Sequence, residues 1–166
     1  MKCLDCNVEM KVVHENHKYS ESGLDNVVIV NATKHRCAKC GEEYLDLPNL
    51  EELHRVISEA IIRNHRNLDG KEFRFLRKHL GFSSAYFAKI VKVTRETISR
   101  YENGKSKIPR QMDLLIRALA LTKLPRRDYD YHDLILENDP QAVQSNYRFL
   151  AAKKGKWERE SASSKA

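Results

Sequence analysis

No apolar run in this chain of 166 residues is long enough to cross a bilayer; NVVIV at 26–30 and LLIRALALT at 114–122 are short or interrupted. The start, MKCLDC, lacks the long apolar core of a signal peptide. Both absences point to the cytosol, where thiols stay reduced, and to no membrane partner. No Ser/His/Asp constellation or paired-carboxylate arrangement stands out, so no catalytic residue is assigned and no enzyme is expected. No cysteine follows residue 40: the chain has four, Cys3, Cys6, Cys37 and Cys40. That shortage excludes a thiol framework for the remaining three quarters of the sequence and concentrates the question at one end.

The four cysteines form two C-x2-C pairs separated by 30 residues. A thioredoxin-like site needs one such pair in a βαβ context, and two disulfides need an oxidising compartment. In the cytosol the doubled pair reads as a tetrahedral site for one structural Zn2+ per chain. Two intervening residues let a tight turn aim both sulfurs at one point, and two such turns complete four-coordination. Gly41, next after Cys40, suits a turn needing positive φ. EMKVVH (9–14) and NVVIV (26–30) are strand-like, so the turns sit on a zinc ribbon. About 45 residues bury little core, and the metal is expected to supply much of the folding energy. Four sulfurs leave no open position for catalysis or for a further cofactor. His14, His17 and His35 lie near enough in sequence to be ligands, but read as strand or loop surface.

Charge is unevenly placed. Residues 1–69 carry 9 basic and 12 acidic side chains, net −3; residues 70–127 carry 15 and 4, net +11; residues 128–166 carry 6 and 7, net −1. A local +11 is the footprint of a surface that docks a polyanion, or of a plain solvated basic face.

PNLEELHRVISEAIIRNHRN (48–67) has apolar residues at helical spacing from Leu50 to Ile61. Pro48 suits the first turn, with Glu51 and Glu52 toward the positive end of the dipole. His54 and Arg63 fall off the apolar stripe and are expected in solvent. Leu68-Asp69-Gly70 breaks the pattern and marks a boundary. Four short helices follow, at 71–81, 83–91, 95–102 (capped by Thr94) and 109–122.

FSSAYFAKIVKVTRETISRYENGKSKIP resembles the helix-turn-helix of the XRE (Cro/C1-type) family. Ala88 matches the small residue at the helix crossing, and Phe87, Val91, Val93, Ile98 and Tyr101 match the apolar positions that lock it. Ser84 stands where that family often has Gln, and Lys92 where it often has Gly. With the cysteine pairs in front, the arrangement resembles the MqsA (YgiT-type) antitoxin family over roughly 1–122. That resemblance implies a zinc domain that binds a ribonuclease toxin. It also implies a helix-turn-helix domain that dimerises on palindromic operator half-sites and represses its own operon. The expected fold is α+β: a zinc-binding domain with its linking helix (1–67), an all-α helix-turn-helix bundle (68–124) and an extension (125–166) with a disordered end. A stand-alone zinc-containing XRE regulator without a toxin is the alternative.

A recognition helix enters the major groove by its N-terminal part. By spacing, Arg95, Glu96, Thr97 and Arg100 face outward, opposite Ile98 and Tyr101. Arg100 matches a base-contacting arginine of the antitoxin family. Glu96 replaces the Asn of its best-known member and would accept from cytosine or orient Arg100. Ser84, Thr94, Asn103, Lys105 and Lys107 suit phosphate contacts. Thr94 reads equally as a plain cap, Asn103 as a plain turn residue, and Tyr101 better as core than as a DNA contact. In the extension, Tyr129, Tyr131, Leu134, Ile135, Leu136, Tyr147, Phe149 and Trp157 are too many large apolar residues for an idle linker. They suggest one more helix covering the domain or a dimer interface, or a recognition segment held by a SecB-like chaperone.

Overall fold

The computed structural model describes residues 1–123, 146–152 and 155–160. Among these the order is β1 (Lys11–Lys18), β2 (Val27–Arg36), β3 (Glu43–Leu45), α1 (Leu50–Ile62), α2 (Gly70–His79), α3 (Ser84–Ile90), α4 (Arg95–Glu102), α5 (Arg110–Leu121), β4 (Tyr147–Ala152) and β5 (Lys156–Arg159). The α+β expectation holds. The chain forms two compact units: Met1–Ser20 and Asp25–Leu53 join β4 and β5 in the first, and the second holds Glu21–Leu24 and the helical segment from His54 onward. No described helix is long and apolar enough to cross a membrane.

In the first unit β2 pairs antiparallel with β1 and β3, and parallel with β4, which in turn pairs with β5. The β1–β2 register shifts between Glu15 and His17; there Asn31 takes φ 53° and donates its N–H to Asn16 Oδ1 at 3.1 Å. Val27 and Ile29 stand opposite Tyr147 and Phe149, and all four side chains are buried. Strand alternation puts them on one face, where each large apolar side chain contributes roughly 1.5–3 kcal/mol. Trp157 is buried opposite Ala151, and its indole N–H donates to the Pro48 carbonyl at 2.8 Å.

At Tyr147, Phe149 and Trp157 these strands replace the expected helix. Tyr147 and Phe149 are two residues apart, the strand period, and β2 offers them an edge 120 residues back in the chain, which local spacing cannot reveal. The extension's other large apolar residues, Tyr129 to Leu136, and its last residues, 161–166, lie outside the described residues.

α1 is shorter than expected. Pro48 is not in its first turn: Asn49, at φ 50°, caps it, with Oδ1 accepting from Glu52 N–H at 3.2 Å. His54 is not in solvent, because its ring meets Phe75 edge-on at 5.7 Å and burial lowers its pKa. Arg63 is exposed and pairs with Glu59 at 2.9 Å.

The second unit starts helices with caps that the sequence announces. Asp69 closes a capping box with Glu72, Ser83 accepts from Tyr86 N–H, and Thr94 from Thr97 N–H. The stretch 68–70, expected as a boundary, is the entry to α2, and Leu68 N–H donates to buried Asp113 at 2.7 Å. Phe73 sits at the centre, edge-on to Phe87 at 5.8 Å and to Tyr101 at 6.1 Å. Lys92 takes φ 58°, the left-handed position that Gly often fills, at a cost of about 1–2 kcal/mol.

Gly70 is required by close approach. A Cβ there would stand 2.7 Å from the Glu102 carbonyl oxygen and 2.8 Å from its carbon, both rigid backbone at the end of α4. Gly70→Ala is expected to destabilise the helical unit by about 1–3 kcal/mol, since α2 must back away from α4. Urea unfolding followed by helical circular dichroism measures it; an unchanged midpoint would show that α2 and α4 are not held this closely.

Candidate metal centre and nucleic-acid interface

Cys3 and Cys6 lie on the turn before β1, Cys37 and Cys40 on the turn between β2 and β3. The turns are built alike. Asn7 N–H donates to the Cys3 carbonyl at 2.9 Å and Gly41 N–H to the Cys37 carbonyl at 3.0 Å; Cys3 N–H donates to Val8 and Cys37 N–H to Glu42, each at 2.9 Å. Gly41 (φ 79°) fills the expected left-handed position, and Asn7 (φ 54°) is its counterpart. Asn7 was legible as the residue one past the second cysteine, since Asn tolerates that conformation best after Gly.

All four cysteines are free thiols, and their sulfurs lie within 4.8 Å of one another, with Cys3 and Cys40 at 3.6 Å. Tetrahedral thiolates at the usual bond length of about 2.3 Å have sulfurs about 3.8 Å apart, so the cluster can hold a metal ion. Met10 is buried against Cys3 and Cys37, and Tyr44 and Cys6 pack on the same small cluster. The backbone N–H groups of Cys40 and Lys39 pull the Cys37 thiol down to about 7. Cys6 is pushed up to about 12 by its hydrogen bond to Cys40, then by burial and by the other sulfurs. Mutual repulsion among the sulfurs opposes loss of all four protons, and a bound cation would offset it. His14, by contrast, meets Thr33 Oγ1 at 3.3 Å, and none of His14, His17 and His35 joins the cluster.

In the second unit α3 and α4 are joined by residues 91–94. Arg95, Glu96 and Arg100 are exposed along α4, Thr97 is half-buried, and Ile98 is fully buried opposite them. Thr94 Oγ1 caps Thr97 N–H at 3.2 Å and lies 3.0 Å from Thr97 Oγ1. Asn103 donates its amide to the Ser99 carbonyl at 2.7 Å, serving as a C-cap. Ser84 is half-buried at the start of α3, and Lys105 and Lys107 are exposed beyond α4. Tyr101 is half-buried and packs edge-on to Phe73.

The matching family model, the antitoxin component of a bacterial toxin–antitoxin system, MqsA, covers residues 1–125. This chain belongs to the MqsA antitoxin family. No curated protein and no solved structure matches it. The MqsA-family segment holds both the cysteine cluster and α4, whereas β4 and β5 lie beyond it.

Sequence reasoning missed the charges that fix α4 in this MqsA-family fold. Glu102, its last residue, is buried and accepts from Arg77 Nε at 2.6 Å, with Arg74 at 3.6 Å. Arg77 also donates to the Phe82 carbonyl, tying α2, α4 and the turn before α3 together. In a stretch of +11 these residues read as surface; only their distant partners reveal that they are interior.

Proposed function

We propose that this antitoxin is a homodimeric, DNA-binding repressor of its own operon. Its cysteine cluster holds one structural Zn2+, and the unit around it binds a ribonuclease-type toxin stoichiometrically, without catalysis. The exposed polar row of α4, standing opposite buried Ile98 on a capped helix, carries the DNA reading. Arg95, Glu96, Thr97 and Arg100 would face bases, and Ser84, Thr94, Asn103, Lys105 and Lys107 the phosphates, with the caps already formed by Thr94 and Asn103 holding the helix ends in place. Zinc suits the all-thiolate, four-donor set. The domain roles follow the sequence division: residues 1–67 toward the toxin, 68–124 toward DNA, and the extension toward neither base recognition nor catalysis. A SecB-like chaperone would meet Tyr147, Phe149 and Trp157 only before β4 and β5 pair, because the paired strands bury them. The stand-alone regulator differs in one respect, the absence of a toxin.

Fluorescence anisotropy on the operon's own promoter tests the DNA reading. Arg100→Ala is expected to weaken specific binding by about 1–3 kcal/mol and relax preference at one base pair per half-site. Lys105→Ala is expected to weaken operator and scrambled duplexes alike and flatten the salt slope by about one unit. Equal losses on both duplexes for Arg100→Ala would confine that residue to the backbone.

A further inference from the structure

The family match ends at residue 125, yet the edge of β2 at Val27–Val30 is covered by Tyr147–Leu150. Without Tyr147–Leu150 that edge would present a row of unpaired N–H and C=O groups. Val27 and Ile29 would also lose the cover of Tyr147 and Phe149. An apolar strand edge of this kind is a template for an added strand. The chain's own extension displays what fits: two aromatic side chains at alternate positions, both fully buried, in a parallel strand. It is also basic. Residues 146–160 carry 5 basic and 2 acidic side chains, against a net −3 for residues 1–69. Within the extension Arg148 pairs with Glu160, and the Arg159 guanidinium lies 5.8 Å from the centre of the Tyr147 ring.

We propose that the Val27–Val30 edge of β2 is a docking site for an extended, basic segment of the toxin bearing large apolar side chains at alternate positions, and that residues 146–160 hold this edge in cis as its competitor. The proposal rests on the toxin reading above. A ribonuclease is expected to present basic surface, because it binds RNA, so the net −3 of residues 1–69 would attract it as it would the basic extension. Apparent toxin affinity is then reduced by the fraction of molecules whose edge is closed.

The test uses the full chain and its Tyr147→Ser/Phe149→Ser variant, which releases β4 without touching the cysteines or α4. The probes are a labelled peptide with the sequence of residues 146–160 and the purified toxin of the same operon. Wild-type protein is expected to bind the peptide about tenfold more weakly than the variant does. Toxin is expected to displace the peptide, and to bind the variant about tenfold more tightly than wild type. Amide exchange reports the β1–β2 pairing in each protein. Failure of the variant to take up peptide while β1–β2 stays protected would overturn the proposal. So would loss of that protection, which would make the extension a structural part of the unit. Simultaneous binding of peptide and toxin would overturn it while leaving the antitoxin reading standing. Toxin that binds neither protein would overturn both.

Discussion

Chelating the metal is expected to unravel both cysteine turns while α2 to α5 keep their helical signal. Beyond the Lys2–Glu9 bridge and their own turn hydrogen bonds, residues 1–10 and 37–42 rest on a small core, in which Met10 and Tyr44 are the apolar side chains that pack on the sulfurs. Metal binding to a structural thiolate site is worth about 10–16 kcal/mol, as much as the whole stability of an ordinary domain. The helical unit contains no cysteine, and its core is built on Phe73, Phe87 and Ile98. The far end of the sheet, where Val27 and Ile29 meet Tyr147 and Phe149, has its own apolar cover and is expected to outlast the turns. The collapse should therefore be narrower than the whole of residues 1–45, which the cysteine spacing alone suggests. Elemental analysis should give one zinc per chain, and amide exchange before and after chelation should locate the loss. Protection persisting at Cys3 to Met10 in the metal-free protein would contradict this, as would a general loss of helix.

Arg117→Ala is expected to cost the helical unit about 3–5 kcal/mol. Arg117 is 4% exposed; its Nε donates to Asp113 Oδ1 at 2.5 Å, and its guanidinium donates to the carbonyls of Ile61, Ile62, Asn64 and Arg66 at 2.7–2.9 Å. The fork thus takes up carbonyls left free where α1 ends and fixes residues 61–68 against α5. Removing it leaves Asp113 charged and buried, with several carbonyls unpaired. Arg117→Lys keeps the charge but loses the fork, and should recover only part of the loss. Urea unfolding of wild type and both variants reads this directly. A cost below about 1 kcal/mol for Arg117→Ala would mean that water replaces the fork.

Local chemistry made much of this fold legible. Asp69, Ser83 and Thr94 announce their helices, the doubled C-x2-C announces its turns, and Lys92 sits left-handed where the family pattern places a glycine. What stayed hidden depends on partners far away in sequence. Arg66, Arg77 and Arg117 look like surface until Glu72, Glu102 and Asp113 are placed beside them. Tyr147, Phe149 and Trp157 look like a helix face until β2 and Pro48 are in view. The cysteine cluster was readable because its four sulfurs come in two local pairs; the exposed polar row of α4 was readable because one helix carries it.

Cell growth under co-expression with the toxin of the same operon tests the antitoxin function. Full-length protein is expected to restore growth. So is the Arg95→Ala/Arg100→Ala variant, as the proposed assignment of DNA reading and toxin binding to different parts of the chain requires. No rescue by the full-length protein would contradict the antitoxin function and favour a stand-alone regulator. Rescue lost only in the Arg95→Ala/Arg100→Ala variant would contradict the separation of the two roles.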